Sequence, residues 1–255
     1  MKIKSIYNNM FEKIELMECY RGSKAHNLYV PPEEENSTDD LDLIGVYAYP
    51  IQYYLTLEGY HKKKEVEEEW IGKFDIVRYE IRKMFYLLSN LNPNVINTLY
   101  CRPEDYLKIT PAWQMVIDNR DVFLSRDRIY NTFCGYAYSQ IKRMTHLSKE
   151  GYMGEKRYKL VQKYGYDTKN ASHCVRLLRM GVEFLKDGQP TIFRTADREE
   201  LLAIKNGEYS LEKVKRMANK LLEDMVEAKE VSKLPVKNSN TDINKLLFRV
   251  MESVL

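Results

Sequence analysis

Residues 22–50 read GSKAHNLYVPPEEENSTDDLDLIGVYAYP, and their order decides how the fold is read. The stretch opens on Gly22-Ser23, a turn signal that follows the apolar pattern Leu16, Met17, Cys19, Tyr20 of a short buried strand. Lys24 to Tyr29 reads as a brief helical segment, and PPEEENSTDD as a polar loop. Leu41 to Tyr47 (LDLIGVY) is then a strand with Asp40 and Asp42 at its entrance. Residues i and i+2 of a strand point to one face, ~7 Å apart along the backbone. Asp40 and Asp42 therefore present two carboxylates to one side, close enough to hold a shared pair of divalent ions. Two magnesium ions ~3.5–4 Å apart can clamp the attacking and leaving oxygens of an in-line phosphoryl displacement. Gly22 lets a phosphate approach the backbone closely. The helix start behind it offers N–H groups to an anion, and Ser23 adds a hydroxyl. A Gly-Ser pair by itself is ordinarily a turn, and Asp-x-Asp a loop edge. Their order along the chain is what turns them into a candidate site.

Outward from this stretch, Ile3, Ile6, Tyr7, Met10 and Ile14 keep helical spacing and predict a short opening helix. Residues 60–70 (YHKKKEVEEEW) read as an exposed, charge-rich stretch, helical or mobile. Phe74 to Tyr79 (FDIVRY) predicts a second strand carrying Asp75, and Glu80 to Leu91 a helix with Ile81, Met84, Phe85 and Leu88 on one face. Pro93 suits the first turn of a following helix. Past about residue 100 strand signals fade. Helices are predicted over roughly 104–118, 126–149, 155–164, 169–187, 197–206, 210–230 and 239–254. The expectation is an α+β chain, with an α/β half over 1–100 joined to an all-helical half over 101–255.

Composition narrows the function classes. Over 255 residues, 44% hydrophobic and 30% charged content suits a globular fold, and a net charge of +3 announces no strongly basic nucleic-acid footprint. The four cysteines form no Cys-x-x-Cys pair, so reduced thiols are expected rather than a zinc site or disulfide framework. Leu41 to Leu57 is the most apolar stretch, yet Asp42, Gly45, Pro50 and Gln52 interrupt it, which argues against a span of ~20 apolar residues. No apolar signal segment opens the chain, and a cytoplasmic location without membrane attachment is expected. The twenty tyrosines suit a wet cleft or stacking platform, and equally an AT-rich coding bias.

The segment GSKAHNLYVPPEEENSTDDLDLIGVYAYP resembles the Gly-Ser-x-Ala-x-x-Leu … Ser-Asp-x-Asp-x-x-Gly-Val pattern of predicted nucleotidyltransferases of the DNA polymerase beta superfamily, the members associated with RNA repair. FDIVRYEIRKMFYLLSNLNPNVINTLY is similar to that family's strand-helix-Asn-Pro-Asn segment, and KNASHCVRLLRMGVEFLKDG to its His-x-x-Arg-Leu-Leu-Arg helix. The resemblance implies a polymerase-beta-like catalytic core over 1–100 followed by a helical substrate or acceptor domain over 101–255. It implies that Gly22 and Ser23 grip a triphosphate and that Asp40 and Asp42 are metal ligands. Asp75 would be the third carboxylate and activate the acceptor hydroxyl, with Glu80 a weaker rival. Two magnesium ions are the implied cofactors, manganese being able to substitute, and a nucleoside triphosphate the substrate. Two departures stand out: the loop before Asp40 is long and acidic, and Asn97 replaces an expected glutamate.

In the helical half, Lys169, His173, Arg176 and Arg179 fall near helical spacing. Such a stripe is either a solvated face or, beside a nucleotide site, a phosphate clamp, for which Lys169, His173 and Arg176 are the candidates. Arg126, Arg128, Lys142, Arg143 and His146, with Tyr130, Tyr136 and Tyr138, form a second basic run that could face a polynucleotide. The expected activity is transfer of a nucleoside monophosphate from a triphosphate to a hydroxyl acceptor, with an RNA or tRNA end favoured, and release of pyrophosphate. The rivals are a non-catalytic nucleotide- or RNA-binding module and a toxin–antitoxin nucleotidyltransferase acting on a protein.

Overall fold

The computed structural model describes residues 11–31, 39–57, 65–144 and 155–254. The expected opening helix lies outside them except for its end, where Ile14 already belongs to the first strand. Five strands form one mixed sheet: β1 (Ile14–Tyr20), β2 (Leu41–Ala48), β3 (Val66–Ile71), β4 (Phe74–Glu80) and β5 (Tyr106–Ile109), in the order β3-β4-β2-β1-β5. β2 and β4 run parallel at the centre, and the other neighbours are antiparallel. Ten helices accompany them among the described residues: α1 (Gly22–Ala25), α2 (Ile51–Leu55), α3 (Ile81–Ser89), α4 (Pro111–Asp118), α5 (Arg126–Met144), α6 (Glu155–Tyr164), α7 (Thr168–Asp187), α8 (Arg198–Lys205), α9 (Leu211–Val231) and α10 (Asn240–Val254). The architecture is α+β, as the sequence leads one to expect.

Two elements correct the sequence reading. Residues 66–71, expected to be helical or mobile, are the edge strand β3, joined to β4 through Gly72-Lys73. A charged, half-polar run survives as a strand here because Glu68 and Glu69 face solvent at the sheet edge, where charge also discourages further pairing, while Glu67 pairs with Lys13. The helix expected over 104–118 starts only at Pro111, where Thr110 accepts from the Trp113 N–H; the residues before it pair with β1 as β5. Tertiary pairing overrides local propensity at both places.

One hydrophobic core runs from the sheet into the helices. It takes Leu16 and Met17 from β1, Ile44 and Val46 from β2, Met84 and Phe85 from α3, and Cys174, Leu178 and Phe184 from α7. α7 is the axis of the helical half, packed by α5, α8 and α9. Asp167 caps its start by accepting from the Asn170 N–H, and Gly188, at φ 74, ends it in the left-handed conformation that favours glycine. Among the described residues, no helix is long and apolar enough to cross a membrane.

The turn after β1 is tied directly to the helical half. His26 Nδ1 meets the Ile192 carbonyl at 2.9 Å, Asn27 Nδ2 donates to the Arg194 carbonyl at 2.9 Å, and Arg198 Nε donates to the Asn27 carbonyl at 2.9 Å. Lys205 Nζ donates to the Leu28 carbonyl at 2.8 Å. These bonds fix the Gly-Ser turn against α8 and the segment that joins α7 to it, and the space left between is a cleft of about 410 Å³.

Candidate active site

The cleft is built from three sides. Its floor is the entrance end of the two parallel strands. In the β2–β4 ladder Asp42 stands opposite Asp75, so both carboxylates issue from neighbouring strands at the same level. Asp40, two residues earlier, lines the same cleft. Burial first, then the neighbouring Asp75 and Asp40 charges, push the Asp42 carboxyl above its ordinary value, against the opposing pull of Arg21 and Lys169. The Arg21 guanidinium reaches over both acids, 3.9 Å from Asp42 and 3.7 Å from Asp75.

The Gly-Ser turn closes on this floor. The Arg21 N–H donates to the Asp42 carbonyl at 3.0 Å, and Gly22 takes φ +60. A Cβ at Gly22 would lie 2.2 Å from Asp42 Oδ2, so glycine is demanded twice, by backbone conformation and by the approach of the carboxylate. Ser23 follows on the cleft wall.

The roof comes from α7 and α8. Lys169, Ser172, His173, Arg176 and Lys205 all line the cleft, so Lys169, His173 and Arg176 are brought together with Gly22, Ser23, Asp40, Asp42 and Asp75. Arg179, the fourth member of that helical stripe, pairs with Asp197 at 2.8 Å and with Glu200 and does not line the cleft. Arg176 is only 7% exposed. Among the described residues it has no carboxylate ion pair, and its guanidinium meets Met180 Sδ at 3.5 Å. Burial, with Arg194 adding repulsion, pulls its guanidinium down to about 9. A buried cation of this kind is costly until an anion compensates it.

The third side is formed by Pro93, Asn94, Asn97 and Thr98. The Asn97 Oδ1 is buried without a hydrogen-bond partner and lies where a ligand could donate to it.

Two further acids, one that the sequence reading passed over and one that it left as a rival to Asp75, separate cleanly. Asp39, only 3% exposed, forms a close pair with Lys205, lies 3.2 Å from Lys169 and accepts from the Val30 N–H at 2.9 Å. Burial would push its carboxyl up, but Lys205 and Lys169 outweigh it and hold it below the ordinary value. Asp39 is thus a tie between the β2 entrance and the helical roof. Sequence reasoning missed both it and Lys205, because adjacent acids look alike until the strand turns one inward. Glu80, the rival for the third carboxylate, is buried at 1% and points to the other face of β4 from Asp75. It caps α3 by accepting from the Arg82 and Lys83 N–H groups, and it accepts from the Tyr54 hydroxyl at 2.9 Å. Of the second basic run, Arg126 pairs with Asp127 and Arg128 donates to Asn90, while His146 lies outside the described residues.

The donors facing the cleft floor are oxygen-only, the set that suits a hard divalent cation such as magnesium. Crowding of Asp42 by like charges and burial is the strain such a cation relieves. Among the described residues, no group of three or more His, Cys, Asp or Glu closes on one point as a preformed cage.

A glycine turn pressed on paired strand carboxylates beneath a cationic helix, on this α+β fold, is the arrangement expected of a polymerase-beta-like nucleotidyltransferase. The chain belongs to the RNA repair pathway DNA polymerase beta family, which it matches over residues 16–249. Among curated proteins, none matches the chain by sequence. Among solved structures it is similar to a nucleotidyltransferase-like protein from Exiguobacterium sibiricum, at 11% identity over 99% of this chain and 78% of that one. The TM-score between the two is 0.33.

Proposed function

We propose that the chain transfers a nucleoside monophosphate from a nucleoside triphosphate to a terminal RNA hydroxyl and releases pyrophosphate. The observation that carries this reading is the in-register Asp42–Asp75 pair against which Gly22 is packed. Asp40, Asp42 and Asp75 would hold two magnesium ions, for which manganese can substitute. Those ions would neutralise charge on the phosphoryl oxygens and orient the attacking and leaving oxygens. A magnesium site needs only one or two protein carboxylates, because water and substrate phosphates complete it, so a preformed cage is not required.

The protein's own groups do the rest. Gly22 and Ser23 give the triphosphate a close-fitting backbone and a hydroxyl donor. Lys169, His173 and Arg176 descend from the roof onto its terminal phosphates, and the buried Arg176 gains the anion it lacks in the free protein. Asp75 accepts the proton of the attacking hydroxyl. Catalysis of this kind is largely positioning and charge neutralisation. The cytoplasm, where RNA ends and triphosphates meet, is the matching location.

A second reading, nucleotide binding without turnover, draws on Arg21, whose guanidinium occupies the space over Asp42 and Asp75. One experiment separates the two. The protein is incubated with each α-labelled triphosphate and magnesium, with and without RNA bearing a free 3′-hydroxyl, beside Asp42→Asn. Transfer that falls ~10²-fold or more in the variant supports the enzyme, since each tenfold is ~1.4 kcal/mol of several at stake. Wild type and variant equally inert while still binding nucleotide would establish the binding module.

A further inference from the structure

One more residue stands in the carboxylate row. Across the antiparallel β3–β4 ladder Trp70 is directly opposite Asp75, and across the parallel β2–β4 ladder Asp75 is opposite Asp42. Directly opposed residues share a face of the sheet. Asp42, Asp75 and Trp70 therefore form one line across three strands, each step ~5 Å. Among the described residues β3 is the edge strand, so Trp70 marks the outer end of that line. It is 63% exposed, whereas the chain's other tryptophan, Trp113, is 0% exposed in the core. A large indole left in water on an acid-rich edge strand contributes nothing evident to folding, since its burial is not realised.

The geometry points to Trp70 as the stacking platform for the base of the acceptor's terminal nucleotide, an inference that rests on the nucleotidyltransferase reading. Asp75 is where the attacking hydroxyl surrenders its proton, and a platform one strand farther out lies within a nucleotide's own reach of that hydroxyl. Stacking on an indole accepts any base through its π-face, which suits an enzyme acting on RNA ends of varied sequence. Charge sets the direction of the strand. Glu68, two residues from Trp70 on the same face of β3, repels phosphates, so the acceptor backbone leaves over the Gly72-Lys73 turn, where Lys73 supplies a cation.

The test uses the full chain with magnesium, a non-hydrolysable triphosphate and a short single-stranded RNA with a free 3′-hydroxyl. RNA should quench the exposed tryptophan emission. In anisotropy with labelled RNA, Trp70→Ala should weaken RNA binding ~10-fold while Trp70→Phe retains most of it, the range expected for losing one base stack. Triphosphate affinity, measured separately by calorimetry, should be the same in all three proteins. RNA binding equal in wild type and Trp70→Ala, emission unmoved at saturating RNA, or no RNA binding by wild type would each overturn the platform. If triphosphate binding and labelled transfer to some other acceptor persist in those cases, only this inference falls. If wild type neither binds triphosphate nor transfers a label, the proposed function falls with it.

Discussion

Replacing Gly22 by alanine tests the site at its tightest point. The structure gives two separable costs. The first is backbone: an L side chain at φ +60 costs ~1–2 kcal/mol. The second is steric: the new Cβ would lie 2.2 Å from Asp42 Oδ2 and 3.2 Å from Asp42 Cγ. Ordinary contact begins near ~3.5 Å, so the carboxylate must retreat by ~1 Å or more. A displacement of ~1 Å at reacting groups costs up to ~10²-fold in rate. Gly165→Ala supplies the control, because Gly165 has φ +79 with nothing within 4 Å of its ideal Cβ. Both variants should lose comparable stability in urea unfolding. Only Gly22→Ala should lose kcat/KM for labelled transfer, by ~10²-fold. Retention of transfer within ~3-fold by Gly22→Ala, at a stability matching the control, would refute the claim that the Gly22–Asp42 approach sets the geometry of the site.

Further outcomes follow from the charges. Arg176→Met should leave the stability of the free protein unchanged or higher, because it removes a buried cation without an ion pair, yet weaken triphosphate binding in calorimetry by ~10-fold or more. A stable variant with unchanged triphosphate affinity would remove Arg176 from the clamp. Asp42→Asn should raise the unfolding midpoint at pH 7, since the folded carboxyl is held above its ordinary value by burial and the ionised form is disfavoured. For an acid shifted upward the cost disappears on protonation, so this gain should shrink as pH falls toward ~4, read by thermal melts across that window. Asp39→Asn has the opposite sign. It leaves Lys205 buried without its carboxylate and should cost ~3–5 kcal/mol at pH 7 in denaturant unfolding. The contribution of Asp39 should be present above pH ~4 and lost as pH falls through its lowered folded value.

Much of the sheet and the ingredients of the site were legible locally. Gly22-Ser23 after an apolar run, and the i, i+2 spacing of Asp40 and Asp42 ahead of Leu43 to Tyr47, are short-range patterns that backbone geometry translates directly into a turn and a strand. The helical half was legible for the same reason: α7 and α9 carry caps and a 3.6-residue period of their own. What the chain alone left open were questions of register and facing. Asp75 lies opposite Asp42 because β2 and β4 pair in parallel, a contact between segments more than thirty residues apart that no spacing along the chain encodes. Helical spacing placed Arg176 and Arg179 in one stripe, and only packing turned the first toward the cleft and gave the second to Asp197 and Glu200. β3 and β5 are strands only because β4 and β1 offer them unpaired backbone groups, which is why charge-rich composition misread the first and helical context the second. That same pairing set Trp70 at the end of the carboxylate row. Sequence by itself determined which chemical groups the protein carries and where its backbone turns. Tertiary structure decided which of them meet, because meeting depends on strand register and helix rotation, and these are settled by burial across the whole core.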